Sequence, residues 1–124
     1  MPPARPFNVA NGHLRAIVNL TRAMETAVSR DDTLSALLAL ETLRDVLGCH
    51  FAREERAMEA LPGYDVMRHA HGHQALLSGL CAMHGAIVAK NFKRLNDLVA
   101  AYINRAARHA IEHDVPLSEH LDAA

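Results

Sequence analysis

The sequence predicts an all-α protein, an antiparallel up-down-up-down four-helix bundle. Four long stretches contain little Gly or Pro, and they cover residues 11–29, 32–61, 64–90 and 92–115. None alternates like a β-strand, and each carries apolar residues at three- and four-residue spacing, the pattern of a helix that faces a core. The breaks between the stretches are short, so consecutive helices should be antiparallel neighbours.

Each break has residues that suit the end of a helix. Asp31–Asp32 can cap a helix that starts near Thr33. Residues 61–63 read Leu-Pro-Gly and predict a turn. Residues 90–91, Lys-Asn, predict a weaker third break, and Pro116 is expected to end the fourth helix because proline disrupts a helix interior.

Length and composition predict a single domain spanning 1–124, with a loose N-terminal arm at 1–10 and a C-terminal tail at 116–124. Half of the 124 residues are hydrophobic, which suits one core. A net charge of −1 gives no basic face for nucleic acid. No apolar run is long enough for a membrane span, and no secretory signal is visible. We therefore expect a cytoplasmic protein with no nucleic-acid or membrane partner.

Histidine is abundant, and most of the histidines lie on the core-facing sides, or seams, of the predicted helices. The chain has nine histidines and no tryptophan. The seams are apolar at one end and polar at the other, where an unpartnered buried group costs roughly 1–3 kcal/mol. These side chains therefore need partners, and histidine suits iron, copper, nickel or zinc.

The turn positions predict which polar residues meet. In antiparallel neighbours, residues equidistant from a turn lie at the same height. The pairs that satisfy this for the three breaks are His13 with His50, Glu54 with His69, and His73 with His109. The three breaks thus predict one polar layer of five imidazoles and a carboxylate.

The fourth helix leaves its second ligand open. His109 and His113 share a helix face, whereas Asp114 lies about 140° around an ideal helix from His109. Pro116 loosens the last turn, however, and an Asp at a fraying end can swing inward. Spacing alone does not choose between His113 and Asp114.

The ligand pattern resembles that of the hemerythrin family, in particular the single-domain bacteriohemerythrins. That pattern is one histidine on the first helix, HxxxE on the second, HxxxH on the third and HxxxxD on the fourth. The matching residues are His13, His50 with Glu54, His69 with His73, and His109 with Asp114. The resemblance covers about residues 10–115, implies a hemerythrin-like fold, and favours Asp114 over His113.

The resemblance also implies a cofactor and a role for each ligand. Two iron ions would share an oxo or hydroxo bridge, with Glu54 and Asp114 bridging both. One iron would take His69, His73 and His109, and the other His13 and His50, leaving a vacant position there. The implied function is reversible binding of O2, for storage, delivery or sensing, by a protein that is not an enzyme.

The residues expected around the ligand pocket depart from the family pattern. Phe51 fits an apolar pocket. Ala16, Arg105, Ala106 and Ala110 stand where the family usually has larger apolar groups. A roomier, wetter pocket with a cation at its edge predicts faster oxidation in air than in a sealed relative, and slow autoxidation over many hours would contradict it.

Other readings stay open. The spacing does not name the metal, so zinc or manganese is an alternative to iron. The same centre could belong to a redox enzyme acting on peroxide or nitric oxide, or to an O2 or redox signalling module with an unidentified partner. The ExxH motifs of ferritin-like oxidases are absent.

The remaining polar candidates have plainer expectations. His84 has no ligand-type neighbours at its level and is expected in the core or partly exposed. His113 either holds a ligand in place or lies on the surface. His71 is expected in solvent, and Cys49 is expected to pack rather than to sense redox state.

Overall fold

The computed structural model describes residues 9–123, and this part of the chain contains helices and no strand. Four long helices follow one another in the sequence, and a five-residue π turn and a short helix come after them. The elements are α1 (Val9–Ser29), α2 (Thr33–Glu59), α3 (Val66–Val88), α4 (Phe92–His109), the π turn Ala110–Asp114, and α5 (Val115–Ala123). The predicted all-α bundle is confirmed.

The four long helices form a closed ring. Each packs against the next, and α1 also packs against α4. Short connections make consecutive helices antiparallel. None of the helices in the described part of the chain is long and apolar enough to cross a membrane.

Side-chain caps begin three of the helices. Asp32, Asp65 and Asn91 each accept a hydrogen bond from the backbone N–H three residues on, at 3.1 Å. These bonds satisfy donors that have no partner within the helix. Asp31 and Lys90 adopt positive φ angles of 57° and 56°, which reverse the chain after α1 and α3. The predicted breaks at 31–32 and 90–91 are therefore confirmed.

One end of the bundle is filled by aliphatic and Met side chains from all four long helices. The fully buried ones include Met24, Leu43, Leu80 and Leu95. The seam of α3 uses Met83, which is completely buried, whereas His84 is exposed. The core alternative for His84 was therefore wrong, because the adjacent Met83 occupies the inward position.

The C-terminal part corrects a second expectation. Pro116 was predicted to end the helix and begin a tail, yet residues 115–123 form α5. The Val115 N–H bonds to the Ala110 carbonyl, five residues back, and closes the π turn. Pro116 then lies in the first turn of α5, where its missing N–H and fixed φ are tolerated.

Candidate metal centre

Seven side chains from the four long helices and the π turn meet in one layer of the bundle. They are His13 from α1, His50 and Glu54 from α2, His69 and His73 from α3, His109 from α4, and Asp114 from the π turn. Six of them are at most 5% exposed. The His50 side chain, at 21%, is the one that reaches the surface. The structure thus brings together all seven residues that the sequence predicted as ligands.

Glu54 lies among three of the histidines. Its Oε1 atom is 3.1 Å from Nε2 of His50 and 3.5 Å from Nε2 of His73. Its Oε2 atom is 3.4 Å from Nε2 of His69. His50 and Glu54, four residues apart on α2, share one helix face, as do His69 and His73 on α3. Glu54 therefore contacts a histidine from α2 and two from α3.

Asp114 lies among the other histidines. Its Oδ1 atom is 3.0 Å from Nε2 of His69 and 3.1 Å from Nε2 of His109. Its Oδ2 atom is 3.3 Å from Nε2 of His13. The two oxygens thus face opposite sides of the layer. All five imidazoles direct Nε2 towards one of the two carboxylates.

The π turn explains why Asp114 faces inward. In an α-helix a residue five positions after His109 would point well away from it, whereas a π turn bonds residues five apart and stacks them on one side. Asp114 is consequently fully buried in a continuous helical segment. The predicted fraying end was the wrong mechanism, since the chain stays helical past Pro116.

His113 lies at the outer edge of the same layer. It is partly exposed, and its ring centroid is 5.2 Å from that of His69 and 5.0 Å from that of His109. Burial and the neighbouring His109 and His69 rings lower the pKa of His113. It therefore packs against two candidate ligands from the surface side.

The charges in the layer are mutually stabilised. Burial alone would raise the pKa of Glu54, but the nearby imidazoles of His50, His69 and His73 favour the carboxylate and hold that pKa well below its usual value. Burial is likewise outweighed at Asp114, whose pKa is lowered by His109 and His69. Both carboxylates are therefore ionised at neutral pH.

The surroundings shift the pKa values of two of the histidines in opposite directions. Burial lowers the pKa of His13 despite the attraction of Asp114. Burial also disfavours the charged form of His69, yet Asp114 and Glu54 outweigh it and raise the pKa of His69 to about 9. The metal-free centre thus holds His69 as a cation between two anions, and His13 as a neutral ring.

The unsatisfied groups show that the layer fits a cation. Within the described residues, the buried side-chain nitrogen and oxygen atoms without a hydrogen-bond partner all belong to this layer. They are atoms of His13, His50, Glu54, His73, His109 and Asp114. Burying such atoms without partners is costly. Metal ions would use these lone pairs.

The spacing of donor atoms agrees with this. His69, His73, His109 and Asp114 each offer a donor atom, and these atoms lie within 4.8 Å of one another. Two donors about 2.1 Å from one ion, at a right angle, lie roughly 3 Å apart. This is close to the observed histidine–carboxylate separations of 3.0–3.5 Å. The buried cluster can bind metal.

The predicted pocket residues do not all lie in the same place. Phe51 is central: its ring stacks on His73 at 4.0 Å and meets His13 edge-on at 6.2 Å. Ala106 and Ala110 are buried, and Ala16 is partly buried. Arg105 is exposed and lines a cavity of about 160 Å³ beside His109.

Three neighbours of the layer were not predicted from the sequence as site residues. Tyr64 Oη is 3.0 Å from Nδ1 of His69, and Glu55 Oε1 is 3.7 Å from Nδ1 of His73. Gly72 packs against the His109 ring. Glu55 directly follows the predicted ligand Glu54 in the sequence, which was a usable signal. Tyr64 lies in a turn, where seam periodicity carries no information.

Comparison with known proteins agrees with this geometry. The family model described as Hemerythrin HHE cation binding domain matches residues 7–122. No curated protein and no solved structure matches the chain. The match includes all seven residues of the layer.

Proposed function

The chain belongs to the hemerythrin HHE cation-binding domain family, and on this premise we propose that its buried layer holds two iron ions and binds O2 reversibly, for storage, delivery or sensing. One observation carries the proposal. The family pattern implies two groups of histidines: one is His13 and His50, and the other is His69, His73 and His109. Each carboxylate contacts at least one histidine of each group. A carboxylate that lies between two groups of imidazoles is placed to bridge two ions.

The donor set divides unequally between the two ions. His69, His73 and His109 would hold one iron, and His13 and His50 the other, with Glu54, Asp114 and an oxo or hydroxo bridge common to both. His13 and His50 would thus supply one protein donor fewer than the other group, which would leave room for O2 on their side of the layer. When bound, the ions supply the electrons and the open position that reversible O2 binding requires.

The protein residues around the proposed vacant position control access and water. His50 is the partly exposed member of the layer, which supports entry of a small molecule on its side. Phe51 covers the interior side, because it contacts His13, His50 and His73 and is 2% exposed. O2, another small diatomic or peroxide is the class of ligand that we propose for this side of the layer.

The histidine-rich donor set favours O2 binding over high-valent oxidation. Imidazole is a neutral donor, so a site with five histidines and two carboxylates stabilises ferrous iron more than a carboxylate-rich site does. Cytoplasmic placement stays a prediction.

The test is anaerobic reconstitution with ferrous iron, followed by admission of air. We expect two irons per chain and a ligand-to-iron charge-transfer absorption band that appears with O2 and disappears when O2 is removed. Turnover of added peroxide or nitric oxide without such a reversible band would favour the redox-enzyme alternative. Failure to retain iron would overturn the proposal.

A further inference from the structure

Tyr64 is attached to the metal layer from outside the helical seams. It lies in the turn between α2 and α3, partly buried, and its hydroxyl oxygen is 3.0 Å from Nδ1 of His69. The two ring centroids are 6.2 Å apart at 43°, so the rings do not stack. The hydroxyl is therefore the part of Tyr64 that holds the imidazole.

His69 has the most complete set of partners among the layer histidines. Its Nε2 lies 3.0 Å from Asp114 and its Nδ1 faces Tyr64. Both ring nitrogens of His13 and of His73, by contrast, lack a hydrogen bond within the described residues. A histidine bound at both ring nitrogens has a fixed ring orientation, so Nε2 stays directed into the layer.

The short terminal helix holds Tyr64 from the other side. The His120 ring of α5 meets the Tyr64 ring edge-on, with centroids 5.7 Å apart and planes at 76°. Tyr64 also borders a cavity of about 370 Å³, together with Asp65, Arg68 and His113 among others. The Tyr64 ring is thus held by packing against His120, and its hydroxyl is directed at His69.

We propose that Tyr64 is a positioning residue of the metal centre, accepting the Nδ1–H of His69 and so orienting this ligand for the ion at Nε2. The inference rests on the proposed metal centre. A metal at Nε2 leaves the proton on Nδ1, which makes the tyrosine oxygen the acceptor. This hydrogen bond makes the imidazole a stronger donor, which favours the ferric state.

Tyr64→Phe removes the hydroxyl and keeps the ring contact with His120. Because loss of a group that orients a metal ligand typically costs about 10–100-fold in affinity, we expect one of two Fe2+ sites to weaken by that factor. The midpoint potential of the loaded centre should move to a more positive value. Tyr102→Phe is the matched control, since the Tyr102 hydroxyl is also buried but donates to the Leu76 carbonyl.

A second measurement does not depend on the variant folding. In 15N-labelled unsubstituted protein loaded with Zn2+, the His69 Nδ1–H should give a slowly exchanging resonance with cross-peaks to the Tyr64 ring protons. Absence of those cross-peaks would overturn the inference, and so would Fe2+ affinity and potential in Tyr64→Phe equal to those of Tyr102→Phe.

Loss of the metal centre and loss of the Tyr64 role would give different results. If the unsubstituted protein takes up neither Zn2+ nor Fe2+, the metal centre itself is refuted, and the positioning role falls with it. If it takes up two ions while Tyr64→Phe behaves like the control, only the role of Tyr64 is refuted.

Discussion

A missing side chain at position 72 allows the His109 ring to lie where it does. A Cβ on Gly72 would come within 2.5 Å of Nδ1 and 2.7 Å of Cε1 of His109. Neither contact can be tolerated without a shift of the ring. Gly72 is thus required by the approach of α4 to α3, although glycine is otherwise unfavourable inside a helix by roughly 1 kcal/mol relative to alanine.

Gly72→Ala should therefore damage the metal centre rather than the fold. The added methyl displaces His109, so we expect at least a roughly tenfold loss of Fe2+ affinity at one of the two sites, measured by anaerobic titration. Gly85→Ala in the same helix is the control, because a Cβ there meets nothing within 4 Å. Equal affinities in the two variants would contradict the assignment of His109.

Protonation of His69 predicts that metal binding depends on pH. Because its pKa in the metal-free centre is raised to about 9, His69 is largely charged at pH 7.5, and a metal ion must displace the proton on Nε2. We expect metal binding at pH 7.5 to release a proton, and the release to fade as the pH rises through 9. Calorimetric titration in buffers of different ionisation enthalpy measures it, and His69→Ala should lack this proton. Release that stays constant to pH 10 would refute the expectation.

The π turn is the element that decides the ligand set of the last helix. Spacing alone left His113 and Asp114 as alternatives, because it assumed an ideal α-helix or a frayed end, and the family resemblance favoured Asp114. The extra residue in the π turn, which ideal helical spacing does not predict, turns Asp114 inward and His113 to the edge. The π turn also places Pro116 in the first turn of α5, so the chain continues as a helix where a helix end was expected.

Substitutions of Asp114 and of His113 test which of the two residues is a metal ligand. Asp114→Ala should abolish binding of at least one iron, since Asp114 contacts His13, His69 and His109. His113→Ala should keep two irons, because its ring only packs against the layer. Iron analysis after anaerobic reconstitution distinguishes them. Loss of iron in His113→Ala together with retention in Asp114→Ala would reverse the assignment.

For the whole molecule, the fold and the polar layer were predictable for the same reason. Short turns fix antiparallel neighbours, so equidistance from each break brought His13 opposite His50 and His73 opposite His109 without any knowledge of packing. What the sequence did not predict depends on local departures from ideal helices: the π turn, α5, and the choice of Met83 over His84 as the inward residue. The contact of Tyr64 with His69 depends on the geometry of the turn and was likewise not predictable from the sequence.

Burial of so many unsatisfied donors should link the stability of the whole domain to metal. A ligand that binds only the folded state stabilises it by about 2.7 kcal/mol at a hundredfold excess over its dissociation constant. Removing iron with a chelator should thus lower the melting temperature by roughly 5–15 °C, and Fe2+ should restore it. Asp114→Ala serves as the control, expected to show a much smaller rise on adding Fe2+. A metal-independent melting temperature in the unsubstituted protein would contradict the linkage.

The layer takes one residue from α1 and another from the π turn after α4. During synthesis, a growing chain that still lacks the fourth helix has His13, His50, His69 and His73 but neither His109 nor Asp114. Iron captured by that fragment would meet an incomplete set of donors and could exchange freely. If the layer holds iron as proposed, tight loading would have to wait until the ribosome has released the segment that carries Asp114, and insertion of the cofactor would be a late event in the life of the polypeptide.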